Sequence, residues 1–554
     1  MIIIYVIILI SYIECNPRKM NFNNDNFILL KINKTGVSNI IGSTDYIYGP
    51  LKVKEIIINN ISQNETKQGY ELNSNGNEIK LIWDIKLTKT SFMFFACNNI
   101  IEIDLSNFDS SEVTEMNYMF YSCFSLVSIN LSNMDTSKVS SMYSIFYNCQ
   151  SLTSLDISNL NLSNVENTES MFIGCFSLTS IELSVFKRNK IKYMEGMFSQ
   201  TNFIFLDLSG FDTSHVIKMN SLFSNSKKLV SVNFSNIITS EVTNMEKMFY
   251  GCSELISLDL SNFDTSKVLN MKWMFDECEK LIFLNLSNFN TLKVKSMENM
   301  FGSCIKLSSI ELSSFDTSQV EDMEQMFCNC QSLTLLNLSN FETSKVSNMK
   351  QMFNRCYNLI ILDISHFSTS KVKNMEGMFD ECKSLYKLDL SNFDTSQVEN
   401  MADMFHFCEQ LVSLKISNFD TSQVLNMNNM FNSCMRLVSL NLSNFDTSKV
   451  TTINDLFYAC LNLIILDISN FNLSQSKNLD SMFRGCSSLK SLDLSNLDTS
   501  NITSMSSMFS GCSSLTSLNL SNFDTSQVQA MNSMFYNCRK LTSLDLSSFN
   551  MSKV

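Results

Sequence analysis

LISLDLSNFDTSKVLNMKWMFDECEK, residues 255–280, is the stretch on which the reading of the chain turns. Near copies recur every 26 residues, and the Phe-x-x-Cys element keeps the register at Cys97, Cys123, Cys149 and Cys175 and again from Cys252 to Cys538. Thr201 and Ser226 fill the cysteine slot between them, 25 residues apart because one residue is missing between Thr201 and Phe203. Self-similarity at this period marks a solenoid, in which each unit buries its apolar side only against its neighbours. With the two variant copies included there are 18 turns, the last incomplete.

Two periods follow one another inside a turn. Leu258 and Leu260 alternate with an outward Asp259, the mark of a short half-buried strand. After the turn-rich segment 261–266, Val268, Met271, Met274, Phe275 and Cys278 return at gaps of three, three, one and three, which puts all five on one helical face. Asp264, Thr265 and Ser266 stand where short oxygen-bearing side chains cap the amides of a short helix or turn. The expected fold class is therefore an α/β repeat solenoid: a leucine-rich-repeat-like superhelix with one continuous parallel sheet on one face and short helices or turns on the other. Leu255 and Phe263 complete an inward set of about nine apolar side chains. Their burial does not offset the entropy of ordering a whole turn, so no turn should fold alone.

The only two prolines, Pro17 and Pro50, precede the array, so no linker interrupts a solenoid placed at 94–554. Residues 16–93, rich in Asn, Ile and Lys, are read as an N-terminal cap region, with Trp83 leading through Phe92, Met93 and Phe94 into the first cysteine. Ile2 to Ile13 is almost wholly apolar, the length of a signal-peptide core and too short to span a bilayer, which makes 1–15 a probable-leader segment in the export reading. No Lys or Arg precedes it, and Glu14 stands where a lipid anchor on Cys15 needs a small residue. No other stretch suggests a transmembrane span.

Sixteen regularly spaced cysteines in an exported chain suggest disulfides, and stacked equivalents about 5 Å apart satisfy the Cα separation of a bridge. Their inward position and the Thr201 and Ser226 replacements favour a buried ladder of free thiols, and both readings stay open. Cys328, two residues before Cys330, is out of register and expected to be more exposed. The methionines beside Phe275 read as core filler. His215, His366 and His406 sit at unrelated positions, no CxxC pair occurs, and no nucleophile elbow or phosphate loop stands apart from the repeat. No catalytic, cofactor-binding or metal-binding residues are assigned, and no cofactor is expected.

The row with a functional aspect is the outward position after the second strand leucine. It reads Asp104, Asn130, Asp156, Glu182, Asp207, Asn233, Asp259, Asn285, Glu311, Asn337, Asp363, Asp389, Lys415, Asn441, Asp467, Asp493, Asn519 and Asp545. Its candidate binding members are Asp104, Asp156, Asp207, Asp259, Asn285, Asp363, Asp389, Asp467, Asp493 and Asp545. With a net charge of −13, nucleic acid and anionic membranes are poor partners, while basic proteins or cations suit the row. The plain alternative is a solvated strand face. Asn285-Leu-Ser287 and Asn441-Leu-Ser443 are also glycosylation sequons.

The recurring LxxLxLSNFDTSxVxNMxxMFxxC resembles the BspA-type leucine-rich repeat, the 26-residue repeat of bacterial surface proteins also expanded in protists. The resemblance implies a cell-surface or secreted solenoid for adhesion or binding of protein or glycan ligands on host or neighbouring cells, without catalysis. Ordinary leucine-rich repeats carry Asn at the place of Phe263, whereas here Asn262 comes one residue earlier; a phenylalanine spine is expected instead of an asparagine ladder. An intracellular interaction scaffold and an inert spacer or coat are the competing readings. After Cys538 the chain begins another turn and stops at Val554, so an uncapped edge that self-associates end to end is a further expectation.

Overall fold

The computed structural model describes residues 26–42 and 53–554; the expected leader, Cys15 and both prolines lie outside the described residues. Strands β1 (Asn26–Ile32), β2 (Gly36–Asn39), β3 (Glu55–Ile58), β4 (Ile61–Ser62), β5 (Gly69–Leu72) and β6 (Asn77–Trp83) precede the repeats. β1 pairs antiparallel with β6 and, on its other side, with β7 (Ile100–Asp104), the first strand of the array. β7 then pairs in parallel with β8 (Ser128–Asn130), so the leading sheet runs directly into the solenoid. Trp83 meets Phe108 edge-on at 5.6 Å, closing the apolar side of the first turn.

Beyond β8 every paired strand is parallel, as identical units stacked in one direction require. β9 (Phe205–Asp207) pairs with β10 (Ser231–Asn233), β11 (Phe283–Asn285) with β12 (Ser309–Glu311), and β13 (Leu335–Leu336) with β14 (Ile361–Leu362). β15 (Lys387–Asp389) pairs with β16 (Ser413–Lys415), and β17 (Ser439–Asn441) with β18 (Ile465–Asp467). The sheet is thus broken into two-strand ladders rather than continuous. Charge in the outward row accounts for part of the breakage. Each ladder that reaches the row aligns an acidic member with a neutral or basic one, such as Asp207 with Asn233 or Asp389 with Lys415. The acid–acid junctions, Asp156/Glu182, Glu182/Asp207, Asp363/Asp389 and Asp467/Asp493, all fall between ladders, where like charges need not sit directly opposite.

Of the short helices or turns expected on the opposite side, the described residues form turns. Trp273 (φ 52°) and Glu277 (φ 59°) lie in the left-handed region, which no α-helix admits. Tight turns form instead: Met274 N–H donates to the Met271 carbonyl at 3.3 Å and Cys278 N–H to the Phe275 carbonyl at 3.2 Å. The amides between them reach the next turn, Trp273 to Glu298, Phe275 to Met300 and Glu277 to Gly302, at 2.9–3.0 Å. Turns that close over three residues reproduce the gap-of-three pattern of a helix face, so the two structures share one apolar signature. Single parallel bridges at the Asn270 position run unbroken from Lys89 to Thr452 and again from Asn478 to Ala530. The turn side, not the strand side, carries the long ladder.

Inside, the apolar set behaves as read. Leu255, Leu260, Phe263, Val268, Met271, Met274, Phe275 and Cys278 are buried, with Leu258 packed partly buried against them. The rings of the Phe275 column stack one over the next, Phe249, Phe275 and Phe301 at 5.7 and 5.8 Å and within 5° of parallel. The spine expected at Phe263 therefore runs unbroken through Phe275; the Phe263 column is buried but stacks only in places, from 4.5 Å at Phe186 on Phe211 to 6.3 Å at Phe315 on Phe341. An asparagine ladder exists after all, from the earlier position: Asn262 Nδ2 donates to the Ser235 carbonyl at 2.9 Å and Asn288 Nδ2 to Ser261 at 3.0 Å.

Two further columns tie turns together. Thr265 is no helix cap: buried at 1% exposure, its hydroxyl donates to the Asn290 carbonyl at 2.9 Å and accepts from the Asn290 amide at 2.8 Å. Among the described residues the cysteines are free thiols, and those in register from Cys123 to Cys538 each donate to a phenylalanine carbonyl of the preceding turn, as Cys278 does to Phe249 at 3.3 Å. Ser226 Oγ donates to the Phe198 carbonyl of the preceding turn at 2.7 Å, so a hydroxyl serves there where the thiol is missing, whereas Thr201 Oγ1 donates to Phe198 of its own turn at 2.8 Å. Burial pushes the thiols up, Cys123 to about 12, and keeps them protonated.

Candidate functional site

Row residues sit at the end of each strand segment, where the chain leaves the sheet for the Ser261–Ser266 turns, and the structure aligns all ten candidates on that one face. Every one of them makes the same local bond. The side-chain oxygen of Asp104, Asp156, Asp207, Asp259 and Asn285 accepts the amide of the Ser two residues on at 2.9–3.0 Å. Asp363, Asp389, Asp467, Asp493 and Asp545 do so at 2.9–3.1 Å. Aspartate and asparagine alternate in this row because either closes an Asx-turn. The D-x-S and N-x-S spacing, visible in the sequence, was the signal for that role.

This bonding also fixes charge. The Ser hydroxyl and then its amide hold Asp156, Asp259 and Asp545 below the ordinary carboxylate range; for Asp207 and Asp493 the amide leads. Lys415, at 2.6 Å, is the larger cause at Asp389, which falls to about 2. Laterally, Asn130 Nδ2 donates to Asp104 and Asn233 Nδ2 to Asp207, both at 2.9 Å. One oxygen of each of these acids is thus committed to the fold while the side chains stay on the outward face.

The face opens around Asp156 and Glu182. Ser128, Ile129, Ser154, Leu155, Asp156, Ser180, Ile181 and Glu182 line an open groove of about 500 Å³ after β8. It is shallow and offers two carboxylates among serines.

Sequence reasoning missed a second feature of the same face. The two residues after the first strand leucine, Ile256 and Ser257 in the reference turn, both point outward. In the first of these columns lie Ile204, Ile256, Ile282, Ile360, Tyr386, Val412, Val438 and Ile464; in the second, Phe205, Phe283, Leu335, Ile361 and Ile465. All are exposed, from 36% at Val412 to 65% at Leu335. An apolar strand body looks the same in sequence whether its residues point in or out.

The remaining titratable groups serve structure. His366 Nε2 lies 3.0 Å from the Leu338 carbonyl in the asparagine-ladder position, and His406 Nδ1 lies 2.9 Å from Asp380. Cys328 is half-buried, its thiol 3.5 Å from Asn354 Oδ1. Among the described residues no group of three His, Cys, Asp or Glu side chains is placed to hold a metal ion, and no helix is long and apolar enough to cross a membrane.

The family profile described as "Mycoplasma protein of unknown function, DUF285" matches residues 88–203, 192–311, 253–359, 303–411, 378–491 and 462–554. No curated protein matches the chain. Similar solved structures include a leucine-rich cell surface protein of Faecalibacterium prausnitzii, 22% identical over 60% of this chain and 79% of that one, with a TM-score of 0.31. An LRR protein of Leptospira interrogans is 16% identical, covering 72% and 87%, with a TM-score of 0.20. The functional domain of InlJ from Listeria monocytogenes, which includes a cysteine ladder, is 15% identical over 72% and 65%, with a TM-score of 0.17.

Proposed function

The chain belongs to the DUF285 family, and on that premise we propose that it is a non-enzymatic recognition protein of the BspA type, secreted or held at the cell surface, that binds protein or glycan ligands on host or neighbouring cells through its strand face. The observation that carries this reading is the register of the row from Asp104 to Asp545, a line of outward carboxylate and amide oxygens along one face, broken once by Lys415 and bordered by exposed apolar columns. Such a surface presents many weak, repeated contacts, and its charge shapes encounter and specificity more than stability. In this reading 1–15 is a cleaved leader, 16–93 the cap and 94–554 the binding solenoid; the apolar run Ile2 to Ile13 supports export.

Free, buried thiols favour a second reading, an intracellular interaction scaffold, because a reducing compartment keeps them so without further protection. Cell fractionation with sequencing of the mature N-terminus separates the two. For binding itself, the full chain and a variant with Asp259, Asp389, Asp467 and Asp493 changed to Lys are compared on an array of matrix proteins and glycans. Weaker binding by the folded variant supports the strand-face reading; identical binding by both reduces the row to solvated surface.

A further inference from the structure

The apolar columns are not demanded by the fold, and the chain contains its own control. The two turns before Ile204 place Thr153 with Ser154 and Thr179 with Ser180 at the same two outward positions, Val127 standing singly one turn earlier; turns after Ile465 place Lys490 with Ser491, Thr516 with Ser517 and Thr542 with Ser543. Those turns stack by the same turn-side bonds. Exposed apolar side chains scattered singly need no explanation, but between Ile204 and Ile465 they recur in one or both columns of nearly every turn, Ser308 with Ser309 being the polar exception, and both columns are apolar together at Ile204 with Phe205, Ile282 with Phe283, Ile360 with Ile361 and Ile464 with Ile465. At about 4.8 Å per turn the ridge extends roughly 48 Å. Water gains nothing from it, so its cause lies outside the molecule.

What would cover it is set by its border. Along the same turns the adjoining row carries Asp207, Asp259, Glu311, Asp363, Asp389 and Asp467 against the single cation Lys415. The apolar residues are mostly branched aliphatics, which suit methyl and methylene groups rather than the hydroxyl-rich faces of sugars. Resting on the strand-face reading above, we infer that the apolar ridge is the centre of the recognition surface and that its occupant is a protein segment presenting apolar side chains with Lys or Arg along one edge. Burial of the ridge supplies affinity, and the acid row orients the partner by charge.

The test pans a random-peptide display library on the full chain, then measures synthetic versions of the enriched peptides by fluorescence anisotropy. Two variants are compared: Phe205→Ser, Phe283→Ser, Leu335→Ser, Ile361→Ser and Ile465→Ser combined, and the milder pair Leu335→Ser with Ile361→Ser. All these positions are more than half exposed, and circular dichroism checks the fold. Expected are peptides that combine apolar residues with Lys or Arg, bind the full chain, and weaken about tenfold or more on the five-residue variant, with a smaller loss on the pair. Acidic or purely polar peptides, no enrichment, or equal binding to all three proteins overturns the inference. Binding that survives loss of the ridge but is lost on the four-aspartate reversal overturns this inference while leaving the strand-face reading intact; binding that survives both overturns both. Sedimentation of the full chain as a dimer that the five-residue variant dissolves assigns the ridge to a second copy and also overturns it.

Discussion

Thr265→Val isolates the hydroxyl ladder. Valine keeps the volume and branching of threonine, so the buried site is neither emptied nor overfilled, but both bonds to Asn290 are lost: the one donated at 2.9 Å and the one accepted at 2.8 Å. Two hydrogen bonds at about 1 kcal/mol each, with a partner backbone that water partly reaches, set the cost at about 2 kcal/mol. Thr265→Ser keeps the hydroxyl and removes one buried methyl, for about 1 kcal/mol. The order is the informative part, since a hydrophobic account of the same site reverses it. Urea midpoints with hydrogen exchange at the Asn290 amide are the assay, because a stacked array loses stability locally before it loses it globally. A valine variant as stable as the serine variant, or an Asn290 amide equally protected in both, refutes the ladder.

Cys278→Ala removes a thiol at 0% exposure that donates to the Phe249 carbonyl, for an expected 1–2 kcal/mol by about the usual small-cavity scale, while reducing agent should leave the wild type unchanged. Thiol titration in denaturant checks the ladder directly; near-absence of free thiol would mean bridged cysteines. Phe275→Ala breaks the ring stack at its centre and should cost about 3–5 kcal/mol by equilibrium unfolding. Burial, then Glu277, raises Asp276 to about 7 from an unfolded value of 3.8, so its ionisation destabilises the fold as pH climbs from about 4 to 7. Asp276→Asn should therefore raise the melting temperature at pH 8 and change it little at pH 4; equal effects at both contradict the assignment. Asp389, lowered to about 2, acts in the opposite sense: its contribution is present above about 4 and fades as pH falls toward 2, an effect that Lys415→Ala should diminish in an acid-unfolding series.

The period, the parallel direction of stacking and nearly the whole core were legible because burial repeats with the sequence: the Leu255, Leu260 and Phe275 positions are apolar in every copy and the Met271 position in nearly every one. The Met271–Cys278 segment was misread as helical for a physical reason. A run of three-residue turns and a helical face both return an apolar side chain every third position, and only the left-handed residues at Trp273 and Glu277 separate them. Asn, Ser and Gly recur at those two positions, as at Gly485 (φ 79°), a hint of left-handed backbone available in the letters. The Asn262 ladder was dismissed because its position is shifted by one residue, yet an amide needs only a carbonyl in the turn below. For the row, outwardness was legible and the Asx-turn was not weighed. The ridge at Ile204 to Ile465 was illegible, because a single outward step at Ile256 and Ser257 decides it and pattern alone does not encode that step.

Residue-resolved amide hydrogen exchange on the full chain tests the central claim, that turns hold the stack together and leave the strand face open for contact. Trp273, Phe275 and Glu277 amides, each bonded to the next turn, should be among the most protected in their repeat, and those of Ser257 to Asp259, between ladders, should exchange far sooner. Strong protection across Ser257 to Asp259 with rapid exchange at Trp273 to Glu277 would contradict it, restoring a sheet-held solenoid with a closed strand face.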